Sequence, residues 1–198
     1  QNMGQTAASA VTASAFLQAG AGALGLVAGP YPAFPQPLPG GTTLVFTWTF
    51  SGSLTGSATL TTTVYGVDVN TGAGITSGKV STSALTVLTP GALAAAPSAP
   101  VTVSVGQEIA VRLSVTNTGG ASVTGVSATI YVNPGAAGVT AVSWPLNSLT
   151  LPGASGTTFE WRYTAAASGT VTFTLSAAGL TCGGTPVVVS RTITAAAQ

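Results

Sequence analysis

The chain has no histidine, a single cysteine (Cys182) and only three carboxylates, Asp68, Glu108 and Glu160. Without an imidazole, neither a Ser-His-Asp nor a Cys-His pair can be assembled. One cysteine supports no disulfide framework and no zinc site of the usual His/Cys type. Bases are as scarce: Lys79, Arg112, Arg162 and Arg191 are too few to track a phosphate backbone. Charged residues make up 4% of the chain, with a net charge of +1, where an ordinary soluble domain carries roughly 25%. These absences remove nucleic-acid binding and most enzyme chemistry. No catalytic residue, cofactor or metal site is expected.

About a quarter of the 198 residues are Ser or Thr, set among Ala, Val and Gly. A mean hydropathy of +0.55 argues against disorder, and a near-zero net charge favours association. Either apolar surface is buried between subunits, or the chain lives outside the cell, packed in something solid. The start, Gln1-Asn2-Met3-Gly4-Gln5, lacks a basic n-region, so no signal peptide is expected there and an exported form would begin with these residues. The uncharged run 7–29 is long enough to raise a membrane span. It is rich in Ala, Ser and Gly, is interrupted by Gly20, Gly22, Gly25 and Gly29, and has no basic flank, so no span is expected.

The chain repeats itself. Leu38-Pro39-Gly40, then Phe46-Thr47-Trp48-Thr49-Phe50, then Gly56-Ser57-Ala58-Thr59-Leu60-Thr61 return as Leu151-Pro152-Gly153, Phe159-Glu160-Trp161-Arg162-Tyr163 and Gly169-Thr170-Val171-Thr172-Phe173-Thr174. The spacing stays at 113 from Leu38/Leu151 to Gly66/Gly179 and extends backward through Tyr31/Trp144 to Ala8/Ala121. Phe46, Trp48 and Phe50 alternate with Thr, and Phe159, Trp161 and Tyr163 alternate with Glu160 and Arg162. That period of two marks strands with one buried face, and all six aromatics are read as core. Leu-Pro-Gly before each strand and Gly56 or Gly169 after it are turn signals. Runs 101–105, 109–115 and 123–132 supply three more strands, and no helix is expected. The pattern predicts an all-β chain built of β-sandwiches.

Val103-Ser104-Val105-Gly106-Gln107-Glu108-Ile109, Val115-Thr116-Asn117-Thr118-Gly119-Gly120 and the run 159–179 resemble the immunoglobulin-like, CARDB-like surface repeats of bacterial and archaeal extracellular proteins. Residues 99–195 resemble one module and 8–98 most of another. The resemblance implies two tandem immunoglobulin-like β-sandwiches in an extracellular structural or adhesive setting, with no particular ligand.

Stepping back by 113 from residues 101–115 leads off the start of the chain, so the first module lacks its initial strands. The expected organisation is an N-terminal extended arm (1–29) overlapping the start of the first module, a truncated sandwich (30–98) and a complete one (99–198). A sandwich without those strands has a groove with unpaired backbone groups, each costing about 1–3 kcal/mol if buried, and an edge that templates pairing with another chain. In one reading the first module closes around a smaller core or borrows the linker 92–100. In the other, a segment of another copy fills the gap, as in donor-strand complementation. The arm, where Val11, Ala13, Ala15 and Leu17 alternate, is the candidate donor; the run 187–193 is the runner-up, although it matches the second module's own last strand.

Other features have plainer readings. The aromatic strands suit core packing better than a sugar-stacking platform. Glu160 with Arg162, and Glu108 with Arg112, are read as solvent pairs on an outward face. Asp68-Val69-Asn70-Thr71-Gly72 lacks the further ligands of a calcium loop and is read as a turn. Cys182 aligns with Val69 and is read as a small apolar position. No Asn-x-Ser/Thr sequon occurs. The expectation is a non-enzymatic, extracellular or cell-surface subunit of a filament or pilus, a homopolymer joined by strand complementation, with other copies of itself as partners and other surface components as further candidates. The alternative is a monomeric secreted adhesin or carbohydrate-binding surface module.

Overall fold

The structure, a computed structural model, describes residues 1–14, 16–145 and 148–198. It is all-β, with no helix among the described residues. Two units divide it at Leu88/Thr89. The expected boundary at 98/99 is corrected, because residues 93–98 pair with a strand of the second unit and are not available to the first.

The first unit contains β1 (Ala8–Ala13), β2 (Leu17–Ala19), β3 (Ala23–Tyr31), β4 (Gln36–Leu38), β5 (Thr47–Leu54), β6 (Gly56–Asp68), β7 (Gly74–Ser81) and β8 (Leu85–Val87). The second contains β9 (Leu93–Ser98), β10 (Thr102–Val103), β11 (Glu108–Asn117), β12 (Val123–Asn133), β13 (Val139–Ser143), β14 (Leu149–Leu151), β15 (Gly156–Ala165), β16 (Gly169–Thr181) and β17 (Pro186–Ala197).

The second unit is a β-sandwich with sheets ordered β10-β17-β16-β12-β14 and β13-β15-β11-β9. Phe159, Trp161 and Tyr163 point inward from β15, opposite Leu113, Val111 and Ile109 of β11. All six are buried, together with Val171, Phe173 and Leu175 of β16. Strict alternation therefore lays two apolar ladders side by side over the facing sheet, and removing them from water drives the fold.

The first unit repeats this arrangement but has no counterpart of β9, β10 or β11 among the described residues. At the repeat spacing β4 falls on β14, β5 on β15, β6 on β16, and β1 with β2 on β12. One sheet keeps this order, with β4, β1 and β2 on one side of β6 and β7 and β8 on the other. The other sheet is reduced to β3 and β5, with no counterpart of β11 or β9. The turns into β6 and β16 are built alike: Gly56 has φ +133° and Gly169 φ +141°. A Cβ at Gly56 would run into the backbone of Ala21 and Gly22, between β2 and β3, and one at Gly169 into that of Ala136 and Ala137, between β12 and β13, so the paired glycines are a steric requirement.

The N-terminal segment is not an extended arm. β1 lies between β4 and β6, paired as Ala8↔Leu38 and Ser9↔Val67, and Val11 is 3% exposed. Ala13 is half-buried. Leu17 opens β2, opposite Thr61. Ala15 lies outside the described residues. Val11 and Ala13 thus serve their own unit as the counterpart of β12, which accounts for the backward extension of the repeat to Ala8. The run 187–193 lies inside β17, fully paired with β16.

Candidate assembly face

On its side away from β3, β5 has no strand partner among the described residues. In the second unit that position holds β11, with β9 beyond it. Two consequences follow for the side chains. Phe46, Trp48 and Phe50 alternate as expected but are half-buried, where Phe159, Trp161 and Tyr163 are 2%, 1% and 3% exposed. The core reading therefore needs correction in the first unit: an aromatic ladder is sealed only when a neighbouring ladder covers its flank. Likewise β7 is exposed at every residue, Ile75 and Val80 included. Its counterpart β17 buries Val189, Ala195 and Ala197.

Rings from outside β5 shield it in part. Phe16 stands edge-on to Trp48 and Phe50, at centroid distances of 5.0 and 5.4 Å, and Phe34 stands 4.8 Å from Phe46. Phe16, Phe34, Trp48 and Phe50, together with Leu24 and Leu60, line a pocket of about 440 Å³. Phe16 and Phe34 escaped the sequence reading because neither falls in an alternating run. Leu26, Val27, Tyr31, Val45 and Leu54 add exposed apolar surface to this unit. A large apolar patch on a soluble chain marks an interaction surface.

The charged residues sit elsewhere. Arg112 bonds Glu160, and Arg162 bonds both Glu160 (2.7 Å) and Glu108 (2.9 Å). The expected Glu160–Arg162 pair exists. Arg112 and Glu108, expected to pair along one strand, instead reach across to β15, because the register places Arg112 opposite Glu160. Hydrogen bonds from Arg112 and then Arg162 hold the Glu160 carboxyl below its ordinary range. A depressed folded-state value stabilises the fold above the unfolded carboxyl pKa of about 4.3, and that contribution is lost as pH falls through the folded value. Thermal stability should therefore decline below about pH 4. Glu160→Gln should lower the melting temperature at neutral pH and flatten this acid limb; a parallel pH profile in the variant would show the network to be inert.

Asp68 caps its own turn, as expected. One carboxylate oxygen accepts from the backbone N–H of Asn70 and Thr71, both at 2.9 Å, and the other from the Thr6 hydroxyl. The Thr71 amide and the Thr6 hydroxyl lower its pKa. Cys182 is exposed in the turn between β16 and β17, which corrects its reading as a small apolar position. Val69, its counterpart, is exposed as well, so the repeat aligned two turn positions. No helix among the described residues is long and apolar enough to cross a membrane.

Residues 83–179 match the family model of the CARDB domain, an immunoglobulin-like surface domain family, and most of the match lies in the second unit. No curated protein matches the chain, and neither does any solved structure.

Proposed function

From the CARDB domain carried at residues 83–179, a type of domain typical of extracellular and cell-surface proteins, we propose that this chain is a non-enzymatic structural subunit of an extracellular filament or pilus. Its subunits join by strand complementation at the first unit, so its main partners are other copies of itself. One observation carries the reading: among the described residues β5 has a bare edge where the equivalent strand, β15, is paired with β11, with β9 beyond it. The second unit displays the completed arrangement, and among the described residues the first has no counterpart of β11 or β9.

An unpaired edge next to uncovered apolar side chains is normally blunted by charge, proline or a bulge. β5 reads Thr-Trp-Thr-Phe-Ser-Gly-Ser-Leu and has neither charge nor proline. Its exposed residues Thr47 and Thr49 provide the test. Thr47→Lys with Thr49→Lys should abolish filaments in electron micrographs of secreted protein while shifting monomer stability by no more than about 0.5 kcal/mol per site. Filaments of normal length from the double variant would overturn assembly through this edge.

The pocket bounded by Phe16, Phe34, Trp48 and Phe50 favours a second reading, a monomeric secreted adhesin or carbohydrate-binding module with its ligand against the aromatic rings. Size-exclusion chromatography of gently prepared native material separates the two: a monodisperse monomer favours the adhesin, and large assemblies favour the filament.

A further inference from the structure

β1 has the features of an exchangeable strand. Among its residues only Ala8 and Val11 are buried. They belong to a small cluster completed by Leu38, with Leu44, Phe46 and Val64 packed against it. Its counterpart β12 buries Val123, Val126 and Ala128 in the large core of the second unit. Little apolar area therefore holds β1 in place, and segments with little burial open locally at low free energy.

The backbone adds to this. Both strands are interrupted by a bulge against the long central strand, between Ser9 and Thr12 in β1 and between Thr124 and Ser127 in β12. At the β12 bulge the left-handed residue is Gly125, with φ +61°; in β1 it is Ala10, with φ +50°. An alanine in that region is strained where a glycine is not.

We infer, on the basis of the filament reading above, that in the assembled state the slot between β4 and β6 is filled by β1 of a second copy. The fit is already on view: Ala8 against Leu38 and Asp68, Ser9 against Val67, Thr12 against Tyr65 and Ala13 against Val64. An exchanged strand remakes each of these pairings with a neighbour, so the exchange costs the opening of the chain after β1 and the association itself. Each copy both donates β1 and presents the slot. Passing strands to successive neighbours is then a heterologous contact, which propagates as a chain when it does not close.

Cross-linking tests the exchange. Opposed positions of antiparallel strands lie within the Cα range of a disulfide, and Cys182 is the only native cysteine. In a Cys182→Ala background, filaments of a chain carrying Ser9→Cys and Val67→Cys are oxidised and run on a denaturing, non-reducing gel. Exchange predicts a ladder of covalent multimers that collapses to one band on reduction. Filaments that give only an internally cross-linked monomer overturn the exchange and leave the filament reading standing. Wild-type protein that stays monomeric under native conditions removes both. A second pair, Thr12→Cys with Tyr65→Cys, repeats the test should the first variant fail to fold.

Discussion

Asn117→Ala is expected to destabilise the second unit by about 3–5 kcal/mol, since the backbone groups it binds lose a partner and those left buried cost about 1–3 kcal/mol each. Asn117 is fully buried at the end of β11. Its amide nitrogen donates to the carbonyls of Ala121, Leu151 and Pro152 at 2.8, 3.1 and 3.0 Å. Its oxygen accepts from the N–H groups of Gly119 and Ala92, at 3.0 and 3.2 Å. One side chain thus ties the ends of β9, β11 and β14 together. Asn117→Asp should be at least as harmful, because it sets a carboxylate against three carbonyl oxygens and leaves a buried charge unpaired. Urea denaturation of the two variants checks this; a loss below about 1 kcal/mol in both would mean that these groups find other partners.

The second large effect is a contrast between two tryptophans at equivalent positions of the repeat. Trp161→Ala should cost about 3–5 kcal/mol, the range for emptying a buried aromatic site. The ring is 1% exposed and lies opposite Val111 across β11 and β15. Trp48→Ala should cost the monomer distinctly less, about 1–2 kcal/mol, because burial energy scales with the area removed from water and Trp48 is only half-buried. In the proposed filament the same substitution should weaken assembly strongly, since a neighbour's strand beside β5 would complete the burial. Equal losses for the two variants in monomeric protein would contradict the bare β5 edge.

Much of the fold was legible in the residues. The aromatic alternation at 46–50 and 159–163 marked β5 and β15, and the constant spacing showed that the first unit has no copy of the run 101–115, because backbone alternation and turn glycines are local signals; β9, read as part of a linker, was missed. Burial was less legible: Trp48 and Trp161 look alike in sequence, and only the presence or absence of a neighbouring strand separates them. Val11, Ala13, Ala15 and Leu17 alternate like a free strand, but a period of two does not say which sheet a strand joins, and the bulge at Ala10 breaks the ladder. Asn117 stands in a motif whose family likeness was visible, yet its five bonds run to backbone groups distant in sequence. The Arg112–Glu160 pair likewise depends on register between β11 and β15, which composition does not carry.

Electron cryo-microscopy of native secreted material tests strand complementation most directly. The expected result is a filament in which the first unit of each subunit is completed by a strand from a neighbouring copy and no β5 edge faces water. A monodisperse monomer, or a filament whose β5 edges remain bare and whose strands all stay within their own chains, would contradict it.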